Sequence, residues 1–225
     1  MIIDETESIT RQDRKSTLPG YTTSFISADP PSYTPTVRQP SPLTYRFTEW
    51  GTDHIALMPP TELRHPQTSA GRPLYHVTTA LKIHPLTPIS YVTKVSKGAE
   101  GEEVLGSFEM SLYHKRAAVT VGTDRPQRLA NVLQSIEGSK KHWTWRYTTT
   151  HLVWDCRSPG PDGAPVCTCL DPNNNKPLAV FIPTPTDPDY PAPEAVLKVY
   201  PEGHHVLDHI LLSALAVERK RMLAF

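Results

Sequence analysis

A chain of 225 residues is long enough to bury a substantial core, as one large β domain or two small ones. Its 23 Lys plus Arg against 23 Asp plus Glu leave no net charge, so no global basic field recommends nucleic acid or an anionic surface, and any such binding must be local. The start, MIIDETESITRQDRK, is polar where a secretory leader is apolar, and no run reaches the ~18–20 apolar residues of a spanning helix, so an intracellular protein is expected, cytoplasmic or peripheral to a membrane.

The chain opens on a segment rich in Pro, Ser and Thr, and the whole carries 24 prolines, about twice the average usage of roughly 5%. Prolines remove backbone donors, and the few apolar residues near them cannot offset ordering entropy, so residues 1–41 read as a disordered tail. Residues 42–225 read as a single domain. Eleven stretches in it carry the β-branched and aromatic residues of short strands: 43–50, 53–58, 74–84, 89–95, 103–112, 117–122, 143–150, 151–156, 165–170, 177–182 and 195–200. Only RLANVLQSIE (128–137) competes as a helix among them, with Leu129, Val132, Leu133 and Ile136 at helical spacing. GPDG (160–163) and NNNK (173–176) are turn chemistry, and the Pro-rich stretch 183–194 reads as a long loop inside the domain. Together these signals describe an antiparallel meander, which loses its free edges by closing into a barrel.

The last segment, 204–221, reads as a helix. Val206, Leu207, Ile210, Leu211, Leu212, Ala214, Leu215 and Val217 cover nearly every direction around its axis, which is the pattern of a buried helix. Its apolar part spans roughly 18 Å, short of a bilayer core of ~30 Å. Leu207, Ile210, Leu211, Leu212 and Leu215 are therefore expected to fill the barrel. Gly203 suits the helix start, Glu202 and Asp208 its positive end, and Arg219, Lys220 and Arg221 its negative end.

The segment LKVYPEGHHVLDHILLSALAVERKRM (197–222) resembles the C-terminal signature of an uncharacterised domain family of mushroom-forming fungi. PLYHVTT (73–79), VLGSFEM (104–110), WTWRYTTTHLVWDC (143–156) and PLAVFI (177–182) match the same family in the same order. That family is placed in the tubby C-terminal and phospholipid scramblase-like superfamily. The resemblance implies a closed antiparallel tubby-like barrel of about 11–12 strands around a buried C-terminal helix. It also implies membrane business, since tubby proteins bind phosphoinositides through basic residues on the barrel wall and the scramblase-like branch associates with membranes.

Candidate sites are sparse. Lys140 and Lys141 before Trp143, with Arg146 further along the same strand, are the nearest local set for an anionic phospholipid or phosphoinositide, by charge beside an aromatic ring. Trp143, Trp145 and Tyr147 share a face of that strand, with Trp154 on the next, and read as core in preference to a ligand groove. His205 and His209 stand four apart, but Val206 occupies the place where a zinc protease needs its Glu. Three cysteines, an odd number, make no disulfide framework and fit a reducing compartment; Cys156, Cys167, Cys169 and His151 lack the two-residue knuckle of a zinc module and read as packing residues. Neither a nucleophile elbow nor a phosphate-cradling Gly loop occurs. The expectation is a non-enzymatic domain without metal or cofactor that meets an anionic membrane surface; the alternative is a scaffold recruiting protein partners through the Pro-rich tail and loop.

Overall fold

The computed structural model describes residues 41–48, 52–61, 72–98, 103–111, 117–160, 165–184 and 194–223. The chain divides into Met1–Val37 and Arg38–Phe225, and every described residue falls in the second unit. The sequence expectations for residues 1–40, for most of the 183–194 loop and for most of GPDG lie outside the described residues.

Each of the eleven strand-like stretches holds a strand. In chain order they are β1 (Leu43–Thr48), β2 (His54–Met58), β3 (Tyr75–His84), β4 (Thr87–Lys97), β5 (Glu103–Ser111) and β6 (Ala118–Val121). Two short strands come next, β7 (Gln127–Arg128) and β8 (Leu133–Ser135), flanking a single helical turn, α1 (Leu129–Val132). The series continues with β9 (His142–Tyr147), β10 (Thr150–Asp155), β11 (Cys167–Leu170), β12 (Pro177–Ile182) and β13 (Val196–Val199). A 3-10 segment over Pro201–Val206 then leads into α2 (Leu207–Met222). Asn175 takes the positive φ of 56° that the Asn-rich turn between β11 and β12 requires.

All thirteen strands form one antiparallel sheet in the order β7-β6-β5-β4-β3-β2-β1-β13-β12-β11-β10-β9-β8. Alternation sets the inner face. In β9, Trp143, Trp145 and Tyr147 are buried while Arg146 between them is exposed; Tyr45 and Phe47 in β1 and Leu197 and Val199 in β13 follow the same rule.

The sheet corrects the expectation of a closed barrel. Its two ends, β7 and β8, do not pair with each other. The cause lies in RLANVLQSIE, whose helical spacing prevails for one turn only: Leu129 and Val132 of α1 are buried between the end strands, and Leu133–Ser135 reverts to strand. Near this opening the Val121 N–H donates to the Tyr147 hydroxyl at 3.2 Å. The open sheet still curls about α2, because the helix meets both of its halves. Arg219 lies over Tyr91 of β4, and an added Cβ on Gly106 of β5 would sit 2.8 Å from Leu212. From the other half, the Tyr147 ring of β9 lies 6.0 Å from His209, and the Trp154 indole of β10 donates to Ser213 at 2.9 Å.

Ile210 to Glu218 are buried without a break, and Leu207 packs against the core from a partly buried position. Ser213 fits this apolar run because its hydroxyl donates back to the His209 carbonyl at 2.6 Å while accepting the indole N–H. At the start of α2, Asp208 accepts from the Tyr75 hydroxyl at 2.7 Å and pairs with Lys97 at 2.7 Å. Burial, then the Asp208 carboxylate, pushes the Tyr75 phenol well above its ordinary range. Val206, not Gly203, is the N-cap; Gly203 is buried in the 3-10 segment, where a Cβ would run into the Leu178 carbonyl.

Candidate functional site

The described residues enclose a cleft of about 180 Å³ between the inner face of β2 to β5 and the last turns of α2. Ile55, Val77, Phe108 and Leu215 supply apolar walls. Thr79 and Thr93 face each other across β3 and β4 with their hydroxyls 3.3 Å apart. Charge enters from the helix. Glu218 is buried and takes a charge-assisted bond from Arg221 at 2.7 Å; burial pushes its carboxyl above the ordinary range, against the opposing pull of Arg221. Arg219 projects over the Tyr91 ring with its guanidinium carbon 5.3 Å from the centroid; that guanidinium makes no hydrogen bond to a described residue, and its charge, like that of Arg221, pulls the Glu218 carboxyl down.

The rim of this cleft runs onto a projecting hairpin. Most strands have four to six residues, whereas β3 has 10 and β4 has 11, so their joined ends pass beyond α2. Four residues separate Tyr91 from Thr87, or about 13 Å of strand. Leu81, Ile83 and Ile89 continue the inner-face series of Val77, Thr79, Tyr91 and Thr93, but with no helix left to cover them. They are 50%, 70% and 40% exposed, Leu86 in the turn is 87% exposed, and Met222 at the helix end is 48% exposed. Four of these five fall within nine residues of one hairpin, a local concentration of exposed apolar side chains. Arg219, Lys220 and Arg221 end the helix; Arg219 lies over Tyr91 of the hairpin, while Arg221 turns to Glu218 and to Cys167 of β11.

The residues singled out from the sequence fall elsewhere. Lys140 and Lys141 are exposed in the turn before β9, and Arg146 is exposed on that strand opposite His151. An extended strand holds Lys141 and Arg146 about 16 Å apart, so they present charge to a surface rather than converge on one phosphate. Trp143, Trp145, Tyr147 and Trp154 are all buried. His205 is exposed, His204 approaches the Tyr45 hydroxyl at 3.4 Å, and burial lowers the pKa of His209. Among the described residues no three metal-ligating side chains come together. The cysteine reading needs correction: Cys156 and Cys167 form a disulfide, and Cys169 is a buried free thiol whose pKa burial raises. The register that sets Trp154 against Cys169 places Cys156 directly opposite Cys167 on the inner face. The sequence reading missed the cleft and the hairpin; the available signal was the apolar alternation persisting through ALKIHPLTPI.

A model of a family of unknown function matches residues 60–223, nearly three quarters of the chain. The chain belongs to DUF6593. The match takes in β3 to β13 and α2, so the cleft's helix and the whole hairpin belong to the DUF6593 region. No curated protein and no solved structure matches the chain. No described helix is long and apolar enough to cross a membrane.

Proposed function

We propose that this domain is a non-enzymatic module that docks on anionic membrane surfaces, phosphoinositide-bearing ones among them, through the β3–β4 hairpin and the basic end of α2. The observation that carries this reading is the exposure of Leu81, Ile83, Leu86 and Ile89 on the hairpin whose Tyr91 lies under Arg219 of the basic last turn of α2. Leaving those side chains in water is costly. Burying a fully exposed Leu or Ile side chain contributes about 1.5–3 kcal/mol, and each Lys or Arg near an anionic surface adds about 1 kcal/mol. Both contributions favour an interface with an apolar interior and negative headgroups. The resemblance of residues 197–222 to an uncharacterised family placed with tubby-like proteins supports a lipid partner, and the proposed kinship carries no closed barrel with it.

The test is co-sedimentation with phosphatidylcholine vesicles, with and without phosphatidylserine or a phosphoinositide. The full chain is expected to pellet with the anionic vesicles at low salt, and Ile83→Asp with Leu86→Asp to stay in solution at an unchanged melting temperature. Neutralising Lys140, Lys141 and Arg146 together tests the rival face. Loss of binding there, with the hairpin variants unaffected, would move the site to β9. No association with any vesicle at low salt would sink the proposal.

A further inference from the structure

Beyond membrane docking, we propose that the cleft under Arg219 is a binding site for a small amphiphilic monocarboxylate, a linear alkanoate, whose carboxylate pairs with the Arg219 guanidinium and whose chain lies along Phe108 and Leu215. Three observations carry it. The first is a cation at the lining of a largely apolar cleft without a hydrogen bond to any described residue: the neighbouring Arg221 is engaged by Glu218 at 2.7 Å, whereas the Arg219 guanidinium feels Glu218 only through longer-range charge attraction and lies 5.3 Å from the centre of the Tyr91 ring. A guanidinium without a hydrogen-bonding partner keeps its planar fork available, and that fork takes a carboxylate through two parallel N–H···O bonds.

The second is the chemistry of the walls. Ile55, Val77, Phe108 and Leu215 offer hydrocarbon to a chain, and the Thr79 and Thr93 hydroxyls, bonded to each other, add one hydroxyl proton that a carboxylate oxygen can accept. The acidic residues at the cleft leave no buried, unpaired carboxylate for an amine. Glu218 already has its cation in Arg221, and Asp53 is an exposed residue.

The third is size. A volume of 180 Å³ corresponds to about six water-sized groups, enough for a carboxylate and a short chain. A longer chain leaves the cleft past Tyr91 and Met222 and meets the exposed apolar side chains of Leu81 and Ile83. Affinity is therefore expected to rise from butanoate through octanoate and to keep rising with further methylenes.

Titration calorimetry of the full chain with octanoate, below its micellar concentration and without vesicles, tests the site separately from membrane docking. One-to-one binding is expected, weakened at least tenfold in Arg219→Gln and also in Thr79→Leu, which fills the cleft and leaves the arginine in place. Arg219→Gln should melt within a few degrees of the parent, and Thr79→Leu, which also leaves the buried Thr93 hydroxyl without its partner, should melt lower but still cooperatively. Octylamine and inorganic phosphate should neither bind at the site nor displace octanoate. Undetectable octanoate binding, equal affinity for octylamine, displacement by phosphate, or an affinity unchanged in Arg219→Gln would each overturn the proposal. If octanoate binds while no vesicle is bound at low salt, the cleft stands and the membrane reading falls.

Discussion

One helix packs against two unlike halves of the same sheet. On β9 to β11, the inner face presents Trp143, Trp145, Tyr147 and Trp154, with the Cys156–Cys167 disulfide closing its margin, and these side chains are buried. On β3 and β4, the equivalent inward positions carry Val77, Thr79, Tyr91 and Thr93, and a cleft remains between them and the last turns of α2. Both halves obey the same alternation; what differs is side-chain volume. The Trp154 indole reaches across to the helix and donates to it, whereas the threonines stop short and bond to one another. The difference teaches where stability and binding reside: the tryptophan half specifies the fold, and the threonine half leaves room and an arginine for something else.

The largest way to break this arrangement is to attack the element both halves share. Leu211 is fully buried in α2, and Leu211→Asp places a charge there with no partner. An effect on the order of 4–5 kcal/mol or more approaches the whole stability of an ordinary domain, so a cooperative thermal transition should vanish from circular dichroism. Next comes Trp154→Ala, which empties a large buried volume and leaves Ser213 without its indole donor. A loss of about 3–5 kcal/mol is expected from urea denaturation. Retention of more than half of that stability would show that the tryptophan half is less demanding than its burial implies. Cys156→Ser opens an 11-residue loop at the same margin and should cost about 2–3 kcal/mol by chain entropy.

These sites also show what the sequence made legible. The eleven strands were readable because alternation, turn residues and β-branched composition agree locally, as in HWTWRY. The buried helix was readable because Ile210 to Val217 is apolar nearly all round. Barrel closure was not, because it depends on whether Leu129 and Val132 continue a strand or coil into a turn, and one helical turn between two strands leaves almost no periodic trace. The disulfide was foreshadowed: Cys156 lies four residues before Gly160 and Cys167 four after Gly163, so a symmetrical hairpin about GPDG sets them face to face. The cleft was hidden, since it arises from the length of β3 and β4 relative to α2, a property of three elements assembled.

A smaller effect follows acid. Burial lowers the pKa of His209 below its ordinary 6.5, with Asp208 pulling weakly the other way. Below 6.5 the unfolded chain takes up a proton that the native chain refuses, so this part of the stability is full above 6.5 and is lost as pH falls through the depressed folded value. Urea midpoints measured from pH 7.5 downward should show that decline, and His209→Gln should flatten it. Glu218 contributes with the opposite sign at lower pH, because its raised pKa makes the native state the better proton binder there.

The smallest expected effect separates the two halves most sharply. Thr79 and Thr93 share one hydroxyl contact of 3.3 Å, and valine keeps the shape of threonine without its oxygen. Replacing only Thr93 by Val leaves the Thr79 hydroxyl half-buried without its partner, which should cost about 1–2 kcal/mol. Replacing both removes donor and acceptor together and should restore stability to within about 0.5 kcal/mol of the parent, a coupling that a double-mutant cycle in urea reads directly. If instead the double variant falls as far as Trp154→Ala, the threonine pair holds the hairpin against α2, and the division between a half that folds and a half that binds does not hold.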